Sequence, residues 1–164
     1  MTKKKKILII VSCVLLATVL IYSAAWYVNY IKYDKWEKKL GYCVKHMKYV
    51  LKEDDYMYSV AKPTYPCFTG NLGISQAVSD ENKVGFDVII WPKAGGKNEI
   101  GVIIKETKYN EATDEFETTG YEVMLDGNKN LMTNEEHLLE IYKENYDELE
   151  KLYDKANELW GIFE

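Results

Sequence analysis

VGFDVIIWPKAGGKNEIGVIIKET, residues 84–107, is the stretch that decides the fold. Val84–Trp91 is dense in β-branched and aromatic residues and stops at Pro92, which has no N–H to give a ladder. Ala94, Gly95, Gly96 and Lys97 supply a turn, and residues 100–107 return as a second strand. Both strands carry apolar residues on both faces. Val88 and Ile90 oppose Ile89 and Trp91, and Val102 and Ile104 oppose Ile103. That pattern predicts a sheet covered on both sides. Asn110 to Glu115 turns the chain again, and residues 116–125 make a third strand with Tyr121, Val123 and Leu125 inward and Glu122 outward. The reading is an antiparallel meander.

Outward from the meander, the N-terminal side is less regular. Residues 56–60 read as a short edge strand with Tyr56, Tyr58 and Val60 on one face. Residues 62–83 read as loop, punctuated by Pro63, Pro66, Gly70 and Gly73. Before them, residues 30–53 read as a helix whose apolar stripe is Trp36, Leu40, Cys43, Met47 and Val50, with Gly41 weakening it. On the C-terminal side, Asp126, Gly127 and Asn128 end the sheet, and Thr133 with Glu136 has the form of a capping box. A single long amphipathic helix is expected beyond it. Its stripe is Leu138, Tyr142, Asn145, Leu149, Leu152, Ala156, Leu159 and Phe163, and Leu139, Tyr146, Tyr153 and Trp160 form a second line. The stripe has coiled-coil spacing, but the second line broadens it beyond a seam, so packing on the chain's own sheet is preferred.

The first thirty residues govern location. Lys3 to Lys6 precede an apolar run over residues 7–28 that contains no charge. As a helix it is about 33 Å long, enough for a hydrocarbon core of about 30 Å. A cleaved signal peptide has a shorter apolar region, although Ser23, Ala24 and Ala25 would suit cleavage before Trp26. Tyr22, Trp26, Tyr27, Tyr30 and Tyr33 cluster at the far end, where aromatic rings favour the headgroup level. The anchor is therefore preferred, with residues 1–29 as transmembrane anchor and 30–164 as one extracytoplasmic domain. Lysines near the two flanks tie in number. The unbroken, acid-free cluster at Lys3–Lys6 places the N-terminus in the cytoplasm. The expected fold class is α+β: a transmembrane helix, then a three- or four-stranded antiparallel sheet packed with an N-terminal and a long C-terminal helix.

Charge excludes some functions. Five of the 21 lysines lie in the first 33 residues, where there is no acid. That leaves 16 basic residues against 26 acidic ones, or about −10 for the outer domain. An acidic domain is not a nucleic-acid binder. It also disfavours anionic lipid, apart from the short lysine-rich stretch beside the membrane. The chain has no arginine, and with abundant Lys, Asn, Tyr and Ile this fits an AT-rich bacterial genome.

Motifs for chemistry are sparse. His46 and His137 are the only histidines, and neither HExxH nor CxxC occurs. Asp126, Asn128 and Asn130 imitate the opening of a calcium loop, but Leu131 and His137 stand where Gly and Glu are required. Gly70 to Gly73 is a bare GxxG without the following Lys and Ser/Thr. Asp54 with Asp55, Asp80 with Glu81, and Glu115 with Glu117 are carboxylate pairs that solvated faces explain. No cofactor or metal site is expected. Cys67 is a candidate nucleophile with His46 or His137 as base, yet outside the membrane a Cys43–Cys67 disulfide is the favoured fate. The expected function is a membrane-anchored, non-enzymatic binding or accessory domain of the bacterial envelope, in contact with lipid through its helix and with an unknown protein partner. The alternatives are an inhibitor or immunity-type role against a basic envelope protein, and a cell-envelope enzyme using carboxylates or Cys67.

Overall fold

The computed structural model describes residues 2–41, 50–53, 55–76, 84–93 and 98–163. The sheet is an antiparallel meander in sequence order: β1 (Val50–Glu53), β2 (Tyr56–Ala61), β3 (Asn71–Gln76), β4 (Val84–Trp91), β5 (Glu99–Asn110) and β6 (Glu115–Leu125). Five strands run from Tyr56 to Leu125, and β1 adds a short sixth at the edge, so the sheet is larger than the three or four strands expected. The missed strand is β3, which lies in the stretch read as loop. Leu72 and Ile74 are fully buried on it and alternate with Asn71, Gly73 and Ser75. Gly73 resembles a turn residue in sequence, but it sits mid-strand opposite Ser59. A Cβ there would stand 2.6 Å from the Ser59 hydroxyl, which would have to turn aside, so glycine gives the closest approach of the two strands.

The helix expected over residues 30–53 is also corrected. Helix α1 (Lys3–Lys32) is followed by the single turn α2 (Asp34–Glu37), and Val50–Glu53 is strand. The β-branched Val50 pairs with Ser59, and Glu53 with Tyr56. Cys43 and Met47 of the expected stripe, the polar stretch 79–83 and the turn 94–97 lie outside the described residues.

The closing helix is two helices, α3 (Glu136–Glu144) and α4 (Tyr146–Trp160). Asn145 separates them with φ −106° and ψ 11°, and its side-chain amide donates to the Ile141 carbonyl at 2.8 Å. Its own backbone N–H reaches the same carbonyl at 3.3 Å, and a side chain that shares a backbone carbonyl weakens and bends the helix there. The expected capping box does not form. Glu135 is the N-cap without a side-chain bond, and Thr133 Oγ1 accepts the Glu135 N–H at 3.3 Å. Tyr146 of the expected second line is exposed, whereas Leu149, Leu152, Tyr153, Ala156 and Trp160 are buried.

Both C-terminal helices lie on the same face of the sheet, α4 against β3 and β4 and α3 against β6. That face carries Leu72, Ile74, Phe86, Val88, Ile90, Ile100, Val102, Ile104, Val123 and Leu125, all essentially inaccessible. The expectation of two covered faces fails. Ile89, Trp91 and Ile103 are only half-buried. The second face shields itself with its own side chains: the Trp91 ring lies where a Cβ on Gly101 would meet it at 2.9 Å.

Candidate functional site

From Tyr22 onward one face of α1 is covered by the domain. Tyr22, Ser23, Trp26, Asn29, Tyr30 and Tyr33 are half-buried or buried at helical spacing, whereas residues 7–21 are exposed all round. Two hydroxyls of α1 are satisfied along the helix: Thr18 donates to the Val14 carbonyl at 2.9 Å, and Ser23 to Val19 at 2.8 Å. The helix is long and apolar enough to cross a membrane, and by length and composition it is compatible with an anchor or a signal sequence.

The loop between β2 and β3 grips this helix. Tyr22 donates to the Tyr65 carbonyl at 2.8 Å, and the Tyr65 hydroxyl meets Ser23 Oγ at 2.8 Å. The rings of Tyr22 and Tyr65, Tyr22 and Phe68, and Trp26 and Tyr65 make edge contacts at 5.2, 4.9 and 5.3 Å. Asn29 donates to the Phe68 carbonyl. Thr64, Tyr65, Pro66 and Cys67 remain exposed on the outer side of the loop. Farther along, buried Tyr33 accepts the Gly70 N–H at 3.1 Å. A Cβ on Gly70 would fall on the Ala61 carbonyl oxygen and 2.8 Å from the Tyr33 ring. Lys62 then pairs with Asp34 at 2.5 Å and with Glu37. Lastly, Trp36 donates to the Trp160 carbonyl at 3.3 Å and Lys39 to the Leu159 carbonyl at 2.6 Å, so α2 caps the C-terminal end of α4. The apolar helix is fastened to the domain at four successive levels.

Between these fastenings lies a cleft of about 790 Å³. Its walls are the last turn of α1 (Asn29, Lys32), α2 (Lys35, Trp36), the segment after β4 (Lys93, Asn98), the turn after β6 (Lys129) and the end of α4 (Asp154, Asn157). Lys32, Lys35 and Lys129 make no ion pair among the described residues, and Lys93 pairs with Glu99. Lys35 stands 4.3 Å over the Trp36 ring, and Lys129 stands 4.6 Å over Tyr153 and 5.1 Å over Phe163. With Lys93 offset by Glu99, three ammonium groups against the single lining carboxylate of Asp154 make the cleft cationic on an acidic chain. Sequence reading marked the lysines of the juxtamembrane stretch but not Lys93 or Lys129, which the fold brings to them from two turns.

The sequence-derived candidates fall elsewhere. Cys67 is exposed beside Thr69, unpaired with any other cysteine among the described residues and 3.1 Å from the Thr69 hydroxyl, and as a thiol its pKa is held below the ordinary value by its bonds to Thr69. Cys43 and His46 lie outside the described residues. His137 is exposed on α3 and makes an edge contact with the Tyr121 ring at 5.5 Å. No group of three or more His, Cys, Asp or Glu side chains suited to a metal occurs among the described residues. Asp126 is occupied within its own turn: its carboxylate accepts the backbone N–H groups of Asn128 and Asn130 at 2.9 Å each and the Asn130 amide at 3.0 Å. Led by Asn130, these bonds hold its pKa below the usual carboxylate value.

At the far end of the sheet, the β5–β6 hairpin runs past the core. Asn110 closes its turn, accepting the Ala112 N–H on Oδ1 at 3.0 Å, and Asp114 takes φ 57°. Tyr109 and Phe116 stand exposed on the hairpin with ring centroids 5.2 Å apart, among Glu111, Asp114, Glu115 and Glu117. Comparison with protein-family models, curated proteins and solved structures finds no match.

Proposed function

We propose that this chain is a single-pass membrane protein whose N-terminus lies in the cytoplasm and whose domain works outside as a non-enzymatic binding or accessory module of the bacterial envelope. The β5–β6 hairpin carries this reading. It projects an exposed aromatic pair framed by carboxylates from a domain fastened to an apolar helix. An acidic, aromatic-tipped arm suits a basic protein partner, because opposite charge steers encounter and aromatic rings supply contact area. An inhibitor or immunity-type role against a cationic envelope protein is one form of the same chemistry. The enzymatic alternative draws no support from Cys67, which bonds Thr69, or from His137, which sits edge-on to Tyr121.

A photo-crosslinking residue at Phe116, activated in intact membranes, tests the arm. A discrete adduct to a basic protein is expected from Phe116 and not from Lys151 on α4. Equal labelling from both positions, or none from Phe116, contradicts the proposal.

The Cys43–Cys67 disulfide remains part of the proposal. It would close a loop of about 25 residues and contribute about 3 kcal/mol by restricting the unfolded chain. Peptide mapping under non-reducing conditions, with thiols blocked at lysis, is expected to recover the two cysteines linked. Recovery of both as alkylated thiols rules the bond out.

A further inference from the structure

We propose that the lysine cleft binds the phosphate of an anionic lipid headgroup in the leaflet that the domain faces. The inference rests on the anchored reading of α1. Counting about 20 residues for the hydrocarbon core from Ile7 brings its far boundary to Trp26. Asn29 then lies about 4–5 Å beyond that boundary and Lys32 about 9 Å, at 1.5 Å per residue. The headgroup layer is roughly 5–7 Å thick on each side. Asn29 at the mouth of the cleft lies within that layer, and Lys32 stands about 2–4 Å outside it, a gap that a lysine side chain leaning toward the helix N-terminus spans. The cleft's chemistry matches that depth: Lys32, Lys35 and Lys129 carry charges with no ion-pair partner among the described residues, and Asn98 and Asn157 stand beside them. Asn98 is partly engaged, donating to the Ile162 carbonyl at 3.3 Å, and Asn157 Oδ1 accepts the Phe163 N–H at 2.8 Å. Those two bonds hold the chain after α4 as a fixed wall. Asp154 opposes an anion, and the three lysines without an ion-pair partner among the described residues outweigh it. The volume of about 790 Å³ admits a whole headgroup. The loop beside the helix adds a second argument for lipid. It packs on Trp26, at the hydrocarbon boundary by the same count, and on Tyr22 about 6 Å inside it, and it leaves Tyr65 partly exposed there, a side chain suited to that interface. A soluble anion would reach the cleft from water and would need no such placement.

Native mass spectrometry of the full-length chain in detergent tests this, with phosphatidylglycerol, phosphatidylcholine and inorganic phosphate as probes. Phosphatidylglycerol adducts are expected at concentrations at which phosphatidylcholine gives none. Lys32→Gln combined with Lys129→Gln should weaken them about 10- to 30-fold, at roughly a fivefold loss for each lysine. Lys151→Gln, on the exposed side of α4, should leave them unchanged. Should the double variant melt early, Lys32→Gln alone, at an exposed position, is expected to show about a fivefold loss. Equal retention of the two lipids, or unaltered binding in the lysine variants, overturns the proposal. Displacement of the lipid by inorganic phosphate at similar concentration reassigns the cleft to a soluble anion and overturns it as well. The same spectra give the chain mass. A chain that begins at Trp26 overturns the anchored reading and this proposal together, whereas an intact chain without lipid preference overturns the cleft alone.

Discussion

Lys62 shows how single residues hold the helix to the domain. Its side chain is 6% exposed, and it bonds Asp34 and Glu37, which are 41% and 17% exposed. Burial alone would push its ammonium pKa down, but the two carboxylates outweigh that and hold it above the ordinary lysine value. Removing one partner of a buried pair typically costs about 3–5 kcal/mol, and the exposure of Asp34 reduces the expectation here to about 2–3 kcal/mol. Lys62→Met should lose that amount in urea unfolding of the detergent-solubilised chain followed by tryptophan fluorescence. A loss below about 0.5 kcal/mol would mark an ordinary solvated pair. The pH dependence has a definite sign. Because the folded-state pKa is raised, the Lys62 contribution is fully present below the unfolded lysine value of about 10.4 and lost only as pH rises beyond it. The difference between the parent and Lys62→Met should therefore hold through neutral pH and shrink in strong alkali. Tyr33 and Gly70 act beside it without charge. A buried N–H on a buried phenol oxygen ties the start of β3 to the end of α1.

Among elements, α4 contributes most to the core. Leu149, Leu152, Tyr153 and Ala156 are fully buried where it crosses β3 and β4. Leu152→Ala should cost about 2–5 kcal/mol, the range for a buried leucine truncated in place. Tyr146→Ala, at an exposed position on the same helix, should cost far less. Equal losses in thermal unfolding would show that α4 packs differently. The buried line of α4 was legible in the sequence because Leu149, Leu152, Tyr153, Ala156 and Trp160 recur at helical spacing. Strand β4 was legible too, since a β-branched run stopped by Pro92 has one ready interpretation. Strand β3 was not. Its buried face is only Leu72 and Ile74, and Gly73 between them imitates a turn while serving close approach to Ser59. The break at Asn145 was hidden for a similar reason. An asparagine at a stripe position looks like a polar core residue until its amide is seen on the Ile141 carbonyl. The cleft was half legible. Lys32 and Lys35 lie in the lysine-rich stretch, but Lys93 and Lys129 join them only through turns that the sheet brings together.

For the molecule as a whole, charge and apolar surface are sorted along its length. A helix whose residues 7–21 are uncharged and exposed on every side leads into a junction of aromatic rings and lysines, and acids frame the distal hairpin. Exposed apolar surface on that scale needs a nonaqueous partner, and a bilayer fits its length. Fastening at four levels would then fix the domain's orientation on the membrane, so that the hairpin points away from it. Protease treatment of intact protoplasts, read out as intact masses, tests this account most directly. The account predicts loss of the domain and survival of a membrane-protected fragment that retains Lys3 to Lys6. A soluble chain beginning at Trp26, or a domain digested only after lysis, would contradict it.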